Sequence, residues 1–315
     1  MAKRSLLRQP ARVRVAVTGA GGFVGTKLVA RLEAAGHQVH ASDRELDVGD
    51  LTAVRAALLR ERPEAVVHLA ALSSVTASVG DPSLTWRVNY LGARAVLETA
   101  RELAPGAVRP VRVLLVGSGQ VYGSAAPGAL PFDEAAPLRP RSPYDWTKAA
   151  ADLLGGVHAA AGADVMRVRP FNHTGPGQSD AFVASSFARQ LAEIELGRRP
   201  AVLSVGNLDS VRDFLDVDDV LDAYLALLDP RVPAGIYNVA SGRGLAMREL
   251  LELLLAASGV RPAITADPSR LRRTDASVGD ASRLREATGW RPRRDLGDTL
   301  KRLLDDWRRR LRDDA

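Results

Sequence analysis

A glycine-rich turn near the start of the chain constrains the fold more than any other feature. A β-branched run ending at Val17 is followed by Gly19, Gly22 and Gly25, and an amphipathic segment continues to Ala35. This order predicts a strand, a tight turn and a helix. The unpaired N–H groups at such a helix start attract a pyrophosphate, which can approach the backbone only where no Cβ intervenes. Taken alone, the turn is equally typical of an ordinary strand-to-helix connection.

An acidic residue about 20 positions further on favours a dinucleotide site. Asp43 directly follows a predicted second strand, residues 38–42. A carboxylate at this place accepts hydrogen bonds from ribose hydroxyls and repels a 2′-phosphate. We therefore expect NAD(H) to be the cofactor. NADP(H) stays open, because the neighbouring Arg44 could pair with a phosphate.

The composition indicates a globular enzyme of moderate size. The 315 residues are 46% hydrophobic and 25% charged, enough for one large domain or two moderate ones. No apolar run is long enough to span a membrane, and the basic segment 1–12 lacks the apolar core of a secretory signal. The chain has no cysteine and no metal-ligand cluster. We expect a cytoplasmic protein without a metal, disulfides or a membrane partner.

The net charge of +6 does not predict nucleic-acid binding. The arginines are scattered among acidic residues along the chain, which is typical of solvated helix faces. A basic surface would also attract a small anionic substrate.

Strands and helices alternate through the first half of the chain. This alternation predicts an α/β fold, a Rossmann-type doubly wound parallel sheet with a smaller, mostly helical C-terminal substrate domain. The expected nucleotide-binding domain covers residues 1–170, with 217–240 returning to it. The substrate domain then covers residues 171–216 and 241–315. Ligands should bind at the carboxyl ends of the parallel strands.

Three polar residues could carry acid–base chemistry. Tyr144 and Lys148 lie one helical turn apart on a predicted helix, 144–161. An ammonium beside a phenol lowers the pKa of the phenol, so the pair could exchange a proton with an alcohol or carbonyl oxygen. Ser118 follows a predicted buried strand, 111–116, and its hydroxyl could bond the same oxygen. Taken alone, the spacing of Tyr144 and Lys148 is also typical of an exposed helical pair. Ser118 alone is also typical of a turn serine.

Together these motifs resemble the extended short-chain dehydrogenase/reductase family over almost the whole chain. The stretches 18–25, 47–48 and 68–71 are similar to the family's cofactor segments, and Ser118, Tyr144 and Lys148 fall on its catalytic triad. The resemblance implies cofactor-binding residues at Gly19, Gly22, Phe23, Val24, Gly25, Asp43, Arg44, Asp47, Val48, Leu69, Ala70, Ala71, Tyr144 and Lys148.

A narrower resemblance comes from the second half of the chain. Residues 169–178, 205–217 and 271–280 are similar to GDP-6-deoxy-4-keto-D-mannose reductases. The resemblance implies a GDP-linked nucleotide-sugar substrate, held by Ser73, Ser118, Gln120, Asn172, Arg189, Arg212 and Arg272. Taken singly, each arginine is also typical of a surface ion pair. Arg273 stands where the pattern usually has proline.

Several other functions remain as alternatives. A nucleotide-sugar 4-epimerase that retains NAD would share the triad. A 4,6-dehydratase would need an acidic residue just after Ser118, where this chain has Gly119 and Gln120, and an amide cannot exchange protons near neutral pH. A non-catalytic, NAD-responsive regulator would not need the triad.

The family resemblance also implies a homodimer. Its interface would be formed by the predicted helices at 82–103 and 144–161, which have alanine-rich faces. Burial of these faces within one subunit is equally compatible with the sequence.

Overall fold

The computed structural model describes residues 12–105, 109–125, 130–268 and 274–313. Six parallel strands form the predicted central sheet: β1 (Arg14–Thr18), β2 (Gln38–Ser42), β3 (Ala65–His68), β4 (Arg112–Val116), β5 (Val165–Pro170) and β9 (Gly235–Val239). Their order across the sheet is β2-β1-β3-β4-β5-β9. Because the direction of strand order changes between β1 and β3, a crevice is expected at their carboxyl ends.

Helices cover both faces of the sheet, as the continuous apolar strands predict. Val15 and Val17 of β1 share one buried cluster with Leu28, whereas Ala16 between them belongs to a cluster on the opposite face with Val54. This alternation follows from the two-residue period of a strand. The helices of this half are α1 (Phe23–Ala34), α2 (Leu51–Glu61), α3 (Val75–Gly80), α4 (Pro82–Trp86), α5 (Gly92–Leu103), α6 (Pro143–Ala160) and α8 (Val217–Leu227).

The helix predicted over residues 82–103 contains a change of winding. A π-helical turn, Arg87–Leu91, separates α4 from α5. Such turns often occur at functional sites. Here the turn brings a buried asparagine, Asn89, within hydrogen-bonding distance of Thr147 on α6.

The second half of the chain has a hydrophobic cluster of its own, formed mainly by three helices: α7 (Val183–Glu195), α9 (Met247–Ala257) and α11 (Leu296–Asp313). A further helix, α10 (Ser282–Thr288), instead contributes Leu284 to the cluster under the central sheet. The domain boundaries at 171–216 and 241–315 stay a prediction.

Short strands accompany these helices. They are β6 (Asn172–Thr174), β7 (Val202–Val205), β8 (Val211–Asp216), β10 (Gly244–Ala246), β11 (Ala263–Ala266) and β12 (Ala276–Ser277). The strand β8 lies between β10 and β12 and also pairs with β6, while β7 pairs with β11. Strands of two to four residues have too few positions to show a sequence period.

None of the helices in the described ranges is both long and apolar enough to cross a membrane. The same residues contain no group of three or more His, Asp or Glu side chains that could hold a metal ion.

Candidate active site

The turn between β1 and α1 requires glycine at two positions. Gly19 has a φ of +73°, and a Cβ there would lie 2.7 Å from the backbone nitrogen of Ala70. A Cβ on Gly25 would collide with the carbonyl oxygen of Gly19, so glycine allows the helix to pack closely on the turn. The N-terminus of α1 carries no side-chain cap, because its N-cap residue is Gly22. Free N–H groups and an open backbone at a helix start fit the pyrophosphate of a dinucleotide.

The residues after β3 lie against this turn. The backbone nitrogen of Leu69 donates to the carbonyl oxygen of Thr18 at 3.1 Å. The nitrogen of Ala70 donates to the Thr18 hydroxyl at 3.4 Å. The predicted cofactor segments 18–25 and 69–71 are therefore joined by hydrogen bonds at the carboxyl edge of the sheet. Phe23, Val24 and Ala71 are half-buried in the same region.

Asp43 follows β2 at the same edge. A Cβ on Gly21 would collide with its carboxylate, so the acidic group lies directly beside the glycine turn. The adjacent Arg44 is exposed. Asp47 and Val48 are the next predicted cofactor residues along the chain. Asp47 forms an ion pair of 2.5 Å with Arg87, and Val48 is buried.

Ser118, Tyr144 and Lys148 come together at the carboxyl end of β4. All three are buried, with exposed fractions of 8%, 7% and 5%. The Nζ atom of Lys148 donates to the carbonyl oxygen of Val116 at 2.8 Å, and Ser118 lies close enough to Tyr144 to affect the pKa of its phenol. The fold thus brings Tyr144 and Lys148 of α6 close to Ser118, which follows β4.

The first turn of α6 is fixed from several directions. Ser142 accepts a hydrogen bond from the nitrogen of Asp145 at 3.1 Å, and the Asp145 carboxylate accepts one from the nitrogen of Ser142 at 3.1 Å. This capping box pairs donors that a helix start otherwise leaves unsatisfied. The backbone nitrogen of Tyr144 donates to the hydroxyl of Ser78 on α3 at 3.2 Å. The tyrosine is therefore held by neighbouring elements as well as by its own helix.

The predicted lowering of the Tyr144 pKa is wrong. Burial raises the pKa of Tyr144 to about 12, and the nearby Ser118 hydroxyl lowers the pKa by less. Burial also lowers the pKa of Lys148 to about 8. Loss of hydration disfavours both charged forms, and the Lys148 amine is bonded to a backbone carbonyl instead of the phenol. At neutral pH the pair is a neutral phenol and a protonated amine.

Asn89 in the π-helical turn is a site residue that the sequence did not reveal. Its amide exchanges hydrogen bonds with the backbone of Leu72, at 2.8 and 3.2 Å. It also donates to the hydroxyl of Thr147, next to Lys148, at 3.0 Å. A polar residue within an apolar helical pattern was the available signal, because a buried amide requires partners.

Two histidines also lie in this region. His68, the last residue of β3, is buried, and its Nδ1 lies 2.8 Å from the Thr18 hydroxyl. Burial, with a smaller contribution from the Lys148 charge, lowers its pKa to about 3. The ring of His173 on β6 is nearly parallel to that of Phe23, with centroids 6.3 Å apart. This contact joins the second half of the chain to the cofactor turn.

The predicted substrate residues lie on several different elements of the chain. Ser73 and Gln120 are exposed, and Asn172 is half-buried on β6. Arg212 on β8 forms an ion pair of 2.6 Å with Asp275. Arg189 on α7 instead pairs with Asp180 at 2.5 Å and Glu193 at 2.8 Å. Arg272 lies outside the described residues.

Comparisons with known proteins identify relatives along nearly the whole chain. A profile described as the NAD dependent epimerase/dehydratase family matches residues 15–240. Over 315 aligned residues the chain is 38% identical to a GDP-6-deoxy-D-mannose reductase of Pseudomonas aeruginosa, covering 96% of this chain and 99% of that protein. It is 32% identical to a UDP-glucose 4-epimerase of Mycolicibacterium smegmatis, covering 94% and 99% of the two chains.

Solved structures show the same fold. The structure of RMD from Pseudomonas aeruginosa complexed with NADPH superposes with a TM-score of 0.85 at 38% identity, covering 95% of this chain and 99% of that chain. A UDP-glucose 4-epimerase from Thermus thermophilus in complex with NAD gives 0.82 at 32% identity, covering 94% and 99%. Relatives of this identity along nearly their full length confirm the extended short-chain dehydrogenase/reductase interpretation, and the chain belongs to the NAD dependent epimerase/dehydratase family.

Proposed function

We propose that the protein is a reductase that converts GDP-4-dehydro-6-deoxy-D-mannose into GDP-D-rhamnose. The observation that carries this proposal is the convergence of Ser118, Tyr144 and Lys148 in a buried site beside the cofactor turn. The substrate follows from the 38% identity to a GDP-6-deoxy-D-mannose reductase along nearly the whole of both chains.

Tyr144 is the proton donor in this reaction. A bound reduced nicotinamide supplies a hydride to the C4 carbon of the keto-sugar. The neutral Tyr144 phenol then protonates the C4 oxygen, and a raised pKa keeps that proton in place at neutral pH. Ser118 donates a second hydrogen bond to this oxygen as its negative charge develops. The protonated amine of Lys148 is hydrogen-bonded to Val116 and not to the phenol, and in this proposal its charge, one helical turn away, stabilises the phenolate left behind.

Gln120 favours a reductase over a dehydratase. Removing water from the sugar ring requires a group that takes a proton from one carbon and returns one to the leaving oxygen. The exposed amide of Gln120 cannot do so near neutral pH. The site therefore supplies one proton through Tyr144, which is what a ketone reduction needs.

The carboxylate of Asp43 supports NADH as the preferred cofactor. It lies directly beside the glycine turn, where it can accept from ribose hydroxyls and would repel a 2′-phosphate. Arg44 next to it is exposed and could pair with such a phosphate. The related reductase structure contains NADPH. In this proposal the two proteins therefore differ in the cofactor that they prefer.

A 4-epimerase is the second candidate, because the chain is 32% identical to two such enzymes and the triad is common to both reactions. An epimerase oxidises and reduces the same sugar, so it consumes no NADH overall. In the experiment, the protein is mixed with NADH and GDP-4-dehydro-6-deoxy-D-mannose, and the absorbance of the reduced nicotinamide is followed over time. Loss of one NADH per GDP-D-rhamnose formed supports the reductase. Unchanged absorbance, with interconversion of UDP-glucose and UDP-galactose, supports the epimerase.

A second copy of the chain is the partner that we propose for one apolar face. This face comprises α3, α4, the π-helical turn and α6. Thirteen large apolar side chains are exposed in the described part of the chain, and seven of them lie here: Val79, Leu84, Trp86, Leu91, Trp146, Leu153 and Val157. The three on α6 recur at helical spacing and form one stripe. A contiguous apolar stripe of this kind marks an interaction surface.

A further inference from the structure

We propose that Arg141 is a further residue that binds the substrate diphosphate, acting beside Arg212. This inference rests on the proposed function only in so far as the substrate is a nucleotide sugar. Arg141 lies on the loop that leads into α6, three positions before Tyr144, whereas Arg212 lies on β8. The two side chains thus come from distant parts of the chain.

Asp275 joins the two guanidinium groups. Its Oδ1 accepts from Nη2 of Arg212 at 2.6 Å, and its Oδ2 accepts from Nη1 of Arg141 at 3.3 Å. The hydroxyl of Ser124 donates to the same Oδ2 at 3.2 Å. One carboxylate therefore holds both arginines close to the same point of the surface. Two guanidiniums against one carboxylate leave an excess positive charge at this point.

The position of Asp275 is set by backbone contacts. Its carbonyl oxygen accepts from the nitrogen of Val211 at 2.9 Å and from Nη1 of Arg212 at 3.2 Å. The next two residues pair with β8 as strand β12. The carboxylate is thus a fixed bridge, and we expect it to stay in place when an anion binds to the free N–H groups.

Arg141 keeps donors available for a ligand. Its backbone nitrogen donates to the Asp145 carboxylate at 3.2 Å, which fixes its position next to the capping box. Its side chain is 49% exposed, and within the described ranges its Nε and Nη2 atoms have no hydrogen-bond partner. A guanidinium offers phosphate oxygens a planar pair of donors.

The position of Arg141 gives it a consequence that Arg212 lacks. A diphosphate bound to both arginines would connect β8 to the loop that begins the Tyr144 helix. Binding energy from the nucleotide would then help to orient the phenol towards the sugar. Loss of Arg141 should therefore weaken nucleotide binding and also slow turnover.

The test uses Arg141→Gln, Arg141→Lys and Arg212→Gln, with Arg55→Gln as the control. Arg55 lies on α2 and resembles Arg141 in two respects. Its side chain is 52% exposed, and it forms an ion pair with a carboxylate, that of Glu102, at 2.5 Å. GDP, UDP, dTDP and GMP are titrated calorimetrically into each full-length variant, and NADH binding shows that each is folded. If Arg141→Gln does not fold, the test is made with Arg141→Lys, which keeps the positive charge but lacks the planar pair of guanidinium donors.

We expect Arg141→Gln to weaken binding of the preferred nucleoside diphosphate about tenfold or more, with a smaller effect on GMP and none on NADH. Arg141→Lys should fall between it and the wild type, and Arg55→Gln should match the wild type. Undiminished diphosphate binding by Arg141→Gln, or a wild type that binds no nucleoside diphosphate, would overturn the proposal. Failure of the wild type to oxidise NADH with the GDP-linked keto-sugar overturns only the proposed function, because the titrations do not depend on turnover.

Discussion

The side-chain amine of Lys148 is bound to the backbone carbonyl of Val116 at 2.8 Å, and this bond ties α6 to the end of β4. The bond places the amine beside β4, the strand that Ser118 follows. This position does not depend on a hydrogen bond to the Tyr144 phenol. The lysine is nearly fully buried, so its charge is held at a cost in hydration.

The pH dependence of stability should report this buried amine. Burial lowers the pKa of Lys148 from 10.5 to about 8, so between these values the unfolded chain binds more protons than the folded one. The free energy of unfolding should then rise with pH across this window. Urea denaturation from pH 7.5 to 9.5 measures it. Lys148→Met should remove the rise, and the exposed Lys301→Met should retain it. A wild-type profile that is flat, or that falls, over this range would contradict the assignment.

His68 should make the protein sensitive to mild acid. Its pKa is lowered from 6.5 to about 3 by burial, so it resists protonation in the folded state and accepts a proton once unfolded. Stability is complete above pH 6.5 and decreases as the pH falls, by up to about 1.4 kcal/mol per pH unit for one proton. Denaturation between pH 6.5 and 5 should show this loss. His68→Gln should reduce the slope, whereas His40→Gln, on the partly exposed strand β2, should not; equal slopes in all three proteins would refute the prediction.

Asp43 should determine cofactor preference. Replacement by serine removes the charge that opposes a 2′-phosphate, so the ratio of kcat/KM for NADH to that for NADPH should fall about tenfold or more. Steady-state rates with both cofactors measure the ratio. The exposed Glu33→Ser on α1 serves as the control. If Asp43→Ser leaves the ratio unchanged, the carboxylate does not contact the ribose in the way we propose.

The exposed stripe on α6 should control the oligomeric state. Leu153 and Val157 are 59% and 65% exposed, so a charge there should not disturb the subunit core but should oppose burial against a second copy. Light scattering at micromolar concentration should show a dimer for the wild type and a monomer for Leu153→Asp. Leu253→Asp, at 38% exposure on α9, should remain a dimer. A monomeric wild type would rule out the proposed partner.

Features with a local pattern could be predicted from the sequence. The glycine turn, the strand β2 and the pair Tyr144 and Lys148 are encoded by neighbouring residues, so the local pattern was enough to place them. Contacts between distant segments could not be read in this way. Asn89 reaches Leu72 and Thr147, and only the fold brings these residues together.

The same limit explains the error on the Tyr144 pKa. Spacing along a helix shows that a lysine is near a tyrosine, but it gives neither the depth of burial nor the partner of the amine. Both are set by β4 and the elements packed around it. Spacing likewise did not give the partners of Arg189, which pairs with Asp180 and Glu193, and its role in substrate binding stays a prediction.

The central claim is that the buried phenol of Tyr144 protonates the sugar oxygen. The most direct measurement is the turnover of Tyr144→Phe with NADH and GDP-4-dehydro-6-deoxy-D-mannose, beside its binding of NADH and a Tyr90→Phe control. We predict a decrease in kcat of roughly 100- to 10,000-fold with nearly unchanged NADH binding. Turnover equal to that of the wild type would contradict the account.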